Sequence, residues 1–156
     1  EWAAFLRFAA HKDFADIEVR HAARGLPKTG FRERYTRHVK ALVAVGDGAG
    51  SDRLTGLKTE FVALANPYTD DLSGGLPVRL YHDGAPRAAA QVEIFARAPD
   101  GEVTVTTTRT DDTGLAMIPV VSGYSYLLDG VVLRETEEGD DAAWETLWAA
   151  LTFAVP

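Results

Sequence analysis

Residues 108–119, TRTDDTGLAMIP, set two adjacent acids and a glycine in front of an apolar run. Three readings compete: a cation loop, half of a catalytic carboxylate pair, or the corner of a β-hairpin. A calcium loop takes several oxygen ligands from one turn, typically with a glutamate further on. Here Thr113-Gly114 leads straight into LAMIP and no acid returns. Neighbouring side chains on an extended chain point opposite ways, so Asp111 and Asp112 do not face one cleft as a glycosidase pair must. Aspartate bonds its own turn backbone and glycine accepts positive φ, so the stretch reads as a turn between two strands.

Working outward, the same grammar repeats. Short apolar runs of period two are punctuated by turn residues: Leu57 to Leu64 before Asn66-Pro67, Leu76 to Leu80 before His82-Asp83-Gly84, and Val92-Ile94 before Pro99-Asp100-Gly101. A Thr-rich run from Val103, then Leu115 to Val120, Tyr124 to Leu128, Val131 with Leu133, and Leu147 to Val155 complete the set. About seven short strands at this spacing predict an antiparallel, immunoglobulin-like β-sandwich. Residues 1–24 differ. Trp2, Phe5, Leu6 and Ala9 share one helical face, and Asp13 is placed to cap a second helix carrying Phe14, Ile17 and His21. Gly25 and Pro27 stop it. The expected organisation is therefore an N-terminal helical segment (1–31), a strand with a glycine-rich connector (32–52) and a β-sandwich domain (53–156).

The segment 78–119 carries a strand, D-G-A-P at 83–86, small residues 88–90, a second strand, and T-D-D-T-G-L-A at 110–116. This pattern resembles transthyretin-like sandwich modules and the regulatory domains of carboxypeptidases. Over a longer span, FRERYTRHVKALVAVG, LKTEFVALANPY and WETLWAALTF resemble an exported bacterial family described as periplasmic components of ABC-type cobalt or nickel uptake systems, and otherwise as a domain of unknown function. The resemblance implies a periplasmic location, a divalent transition metal such as nickel or cobalt as cargo, and a membrane transport component as partner. Members of that family carry a β-rich, His-containing segment near the N-terminus. The sequence starts inside a helical pattern without Met, which suggests a processed or truncated chain with no signal peptide of its own.

Composition narrows the chemistry. The net charge is −7, which disfavours nucleic acid as partner. No cysteine is present, so thiol nucleophiles, disulfides and Cys-type zinc sites are excluded. No apolar run is long enough to span a bilayer. The four histidines, His11, His21, His38 and His82, show no close-ligand spacing. His38 and His82 remain metal-ligand candidates if a sandwich brings them together, with His21 as a third. Arg32 to Lys40 is the basic stretch. Its Arg34, Tyr35, Arg37 and Lys40 are candidates for contact with an anion or partner, the alternative being an edge strand guarded by charge or paired with acidic loops. Trp144 and Trp148, spaced i to i+4, suggest one helical turn before the last strand. No serine-hydrolase elbow or metalloprotease helix occurs, so no catalytic residue is expected. The leading expectation is a non-enzymatic periplasmic binding or accessory domain assisting nickel or cobalt uptake. The alternative is a structural or protein-interaction sandwich with no ligand.

Overall fold

The computed structural model describes residues 1–137 and 139–156. Two short helices lead, α1 (Trp2–His11) and α2 (Ile17–Ala23). Nine strands follow among the described residues: β1 (Glu33–Ala41), β2 (Thr59–Ala63), β3 (Leu76–His82), β4 (Ala85–Pro86), β5 (Gln91–Arg97), β6 (Val103–Arg109), β7 (Leu115–Ile118), β8 (Ser125–Glu135) and β9 (Trp144–Ala154). One sheet has the order β1-β9-β8-β5-β6, and in the other β3 pairs with β2, β4 and β7. The chain divides into two compact units: Glu1–Thr36 with Val131–Leu147, and Arg37–Gly130 with Trp148–Pro156.

The larger unit is the sandwich. Alternation along β3 sends Leu76, Val78 and Leu80 into the core, where they meet Phe61 of β2, Ala116 and Ile118 of β7, and Val92 and Ile94 of β5. Each is nearly solvent-free, and burying a Val, Leu, Ile or Phe side chain contributes about 1.5–3 kcal/mol. Pairing in this unit is antiparallel between β2 and β3, β3 and β7, β5 and β6, and β5 and β8. Strand β1 differs. Arg37 lies over Trp148 and the Leu42 N–H bonds the Thr152 carbonyl, so β1 ascends in step with β9 and runs parallel to it.

The opening stretch is the turn its residues foretell. One Asp111 carboxylate oxygen accepts the Thr113 N–H, the Thr113 hydroxyl and the Leu115 N–H. Those bonds, led by the one from Leu115, hold its pKa below the ordinary aspartate value. Gly114 sits at φ 76°, and a Cβ there would lie 2.9 Å from the Arg87 nitrogen, so only glycine fits. The small residues 88–90 also have their reason. Ala89 N–H bonds the Thr110 carbonyl while Thr110 N–H bonds the Ala90 carbonyl, a bulge that puts Ala89 at φ 51°.

The smaller unit is built on aromatic rings. Phe5 and Ala9 of α1, Ile17 of α2, Leu133 and Trp144 form its core, with Trp2 and Phe31 packed against them. Three sequence expectations need correction. Asp13 does not cap α2; it lies at φ 69° just after α1, and Asp16 is the residue before the second helix. Trp144 opens no helical turn, because β9 begins there and pleating sends alternate side chains into apolar cores. Tyr124 to Leu128 and Val131 to Leu133 belong to one strand, β8, because Gly130 continues the extended chain without a turn. A Cβ at Gly130 would stand 3.1 Å from the Phe61 ring, so the glycine marks close packing.

Candidate functional site

The basic stretch on β1 looked most like a binding site, and the structure gives each of its charges a partner or a role. In the smaller unit, Arg34 Nε lies 3.2 Å from Glu145 and its Nη1 3.1 Å from Asp140. Arg134 clasps the other oxygen of Glu145 at 2.6 Å. Asp140 and Glu145 hold the Arg34 guanidinium above its ordinary pKa, Asp140 most strongly, while partial desolvation opposes them. Arg32 reaches Asp141 at 3.4 Å. Tyr35 is exposed.

In the sandwich unit, Arg37 stacks on the Trp148 ring at 5.6 Å. Lys40 turns inward. Its Nζ lies 2.8 Å from Asp52 Oδ1 and 3.3 Å from Glu60 Oε2, and it donates to the Arg53 carbonyl at 2.8 Å and the Phe61 carbonyl at 2.9 Å. Glu60 also accepts the N–H groups of Thr55, Gly56 and Leu57 and the Thr55 hydroxyl. Burial pushes the Glu60 pKa up, but the bonds from Thr55 and Lys40 outweigh it and leave the group below 4.5. The second Asp52 oxygen accepts the Ala63 N–H. Every donor and acceptor in this cluster is spent inside the protein, and it braces the loop that follows β1. A cleft of about 420 Å³ opens beside it, lined by Lys40, Ser51, Asp52, Asn66 and Tyr68. Sequence reading missed Asp52 and Glu60. The available signal was a glutamate inside TEFVA, a strand otherwise fit for full burial.

The histidines sit on different elements. His21, buried in the smaller unit, accepts the Trp144 indole N–H at Nδ1, 3.0 Å, and its Nε2 meets the Pro27 carbonyl at 3.1 Å. An indole nitrogen only donates, so Nδ1 is the acceptor and Nε2 carries the proton. Both ring nitrogens are occupied, and Trp2 and Phe31 close over the ring. His82 sits at the end of β3 with Nδ1 3.2 Å from the Lys58 carbonyl and Nε2 3.3 Å from Asp83. His38 lies on β1, its Nδ1 buried without a hydrogen bond. Among the described residues no group of three His, Asp or Glu side chains is gathered in a way that could hold a metal ion.

A different surface stands out. On the outer side of the five-stranded sheet in the sandwich unit, Phe95 is in register with Val105 and Leu127, and Arg97 with Val103 and Ser125. Their inward neighbours Ile94 and Leu128 fill the core. The outward valines stay in solvent: Val39 is 59% exposed, Val43 75%, Val103 51% and Val105 51%. A shallow depression of about 490 Å³ runs along this side, lined by Ala41, Val43, Phe95, Val103, Leu127 and Ala154. Exposed Arg97 lies along it, while Glu93 and Asp129, in register two residues beyond Phe95 and Leu127 on the same side, are buried. The protein is acidic overall, so an apolar face bearing an exposed arginine is locally distinct.

Residues 3–131 match the model of a family described as a domain of unknown function, DUF4198. No curated protein and no solved structure matches the chain. The family's description names no activity, ligand or partner, and neither a transport role nor a transthyretin relationship.

Proposed function

The chain belongs to the DUF4198 family, and we propose that it is a non-enzymatic, exported protein-interaction module that works through the outer face of its five-stranded sheet. The occupant is a segment of a partner protein carrying acidic and apolar side chains. The carrying observation is the exposed apolar face of Val43, Val103, Val105 and Leu127, with exposed Arg97 along it, on a protein of net charge −7. Contiguous apolar surface of this kind costs solubility and is kept where something covers it. Arg97 selects charge, and the apolar groups supply most of the contact. The exported location is supported by the sequence resemblance described above.

The test is a photo-crosslinking amino acid at Leu127 in the intact protein expressed in its own host, with Met117 on β7 as the exposed control. The expected result is an adduct formed from position 127 alone, whose crosslinked peptide is acidic and apolar and whose yield falls when Arg97 is changed to Glu. Equal adducts from both positions, or none from 127, overturn the reading.

Nickel or cobalt uptake is a second reading, and the unpartnered Nδ1 of His38 is the feature that keeps it testable. Thermal melting with each metal decides it. A rise in Tm that His38→Ala abolishes supports metal binding by this chain, and an unchanged Tm removes it.

A further inference from the structure

The two ends of the five-stranded sheet are finished differently. Strand β1 carries exposed Arg34 and Arg37, charges of the kind that keep a sheet edge from pairing with other strands. Strand β6, at the opposite end, reads VTVTTTR, with no charge between Val103 and Thr108, no proline, and almost every residue exposed. Its backbone direction can be worked out. The Thr110 N–H bonds the Ala90 carbonyl and the Ala98 N–H bonds the Glu102 carbonyl, so the even-numbered residues face β5. In an antiparallel ladder the alternate residues then turn their N–H and C=O the other way. Val103, Val105 and Thr107 therefore present a row of donors and acceptors at the open edge. Among the described residues, no strand pairs with it.

We propose that this edge pairs with the same edge of a second copy of the chain, antiparallel about a two-fold axis at Val105. Self-pairing is favoured by the fit of the sequence to itself. With Val105 opposite Val105, Val103 meets Thr107, and both belong to the outward-facing set, so the hydrogen bonds are complete. At each end Arg109 comes opposite Gly101 of the other copy, between Asp100 and Glu102, so a positive charge meets a turn bearing two negative ones. The pairing joins two five-stranded sheets into one continuous sheet and removes the unguarded edges. It uses the strand's edge and leaves the face around Leu127 open, so it stands or falls separately from the interaction reading.

The absence of native cysteine makes the test clean. A Val105→Cys protein is treated with a short thiol-specific bifunctional crosslinker, beside a Val19→Cys protein with its cysteine on exposed α2. Opposed Cα atoms in such a pair stand about 5.5 Å apart, so fast dimer formation is expected from position 105 only. Sedimentation equilibrium of the unmodified chain is expected to show a dimer. Val105→Pro, which deletes an outward N–H, and Val105→Lys, which sets two positive charges on the axis, should each raise the dissociation constant by about tenfold or more. Far-UV circular dichroism confirms that both variants fold, and Leu127→Lys should leave the dimer intact. A monomer at every concentration up to the millimolar range overturns the proposal. So does a dimer that both Val105 variants leave unchanged, or crosslinking from position 105 no faster than from position 19.

Discussion

Lys40 and Arg34 sit on one strand six residues apart, and they show how little a charge on its own says about its job. The Lys40 side chain is 10% exposed, and its carboxylates Asp52 and Glu60 are 6% and 0% exposed. The Arg34 side chain is 48% exposed. Two buried acids and one ammonium depend on each other, since each lost its hydration on folding and recovers it from the others and from nearby backbone groups. The arginine is half in solvent, and the buried Glu145 keeps Arg134 as a second partner, so Arg34 gains little from either acid. The same kind of residue is a structural brace at one end of the strand and a surface ornament at the other.

The strongest way to break this comparison is Lys40→Met. It strands two buried carboxylates, and a loss of about 3–5 kcal/mol in urea unfolding is expected. A loss below about 1 kcal/mol would mean that the cluster is as well hydrated as a surface pair. Glu60→Gln keeps the shape but unbalances the hydrogen bonds, and an intermediate loss of about 1–3 kcal/mol is expected.

Acid sharpens the same point. The folded Glu60 pKa lies below its ordinary 4.5, so the carboxylate stabilises the fold above that pH, and its contribution is lost as pH falls through the folded value. Melting temperature measured from pH 6 downward should drop less steeply in Glu60→Gln than in the parent. In Lys40→Met the slope should flatten or reverse, because protonating one acid relieves the repulsion between two. The smallest effect is expected from Arg34→Ala, about 0–1 kcal/mol, most of it gone at 1 M salt. A loss as large as that of Lys40→Met would erase the distinction between the two ends of the strand.

Much of the architecture was legible in the chain. Period-two runs between Asn-Pro, Asp-Gly and Pro-Asp-Gly corners located β2, β3, β5 and β6, and the Asp111–Gly114 turn was readable because aspartate and glycine act on their immediate neighbours. The Trp2, Phe5 and Ala9 face announced α1 in the same way. Boundaries were harder. Gly130 reads as a break in sequence but serves close packing against Phe61, and Asp13 reads as a cap but terminates a different helix. The candidate site was legible only in its composition. Arg32 to Lys40 was visible as a basic run, while its partners Asp52, Glu60, Asp140 and Glu145 lie far along the chain.

What the sequence determined by itself was local: where strands and helices form, where turns fall, and that one strand carries a row of positive charge. Those follow from periodicity and from side chains bonding backbone a few residues away. Tertiary structure alone decided which charges are buried, that His21 spends both nitrogens on Trp144 and Pro27, and that Val103, Val105 and Leu127 share an exposed face. It also decided which two strands end the five-stranded sheet. The physical reason is that dielectric, hydrogen-bond partners and exposure are set by residues brought near from elsewhere in the chain, and no local pattern encodes them.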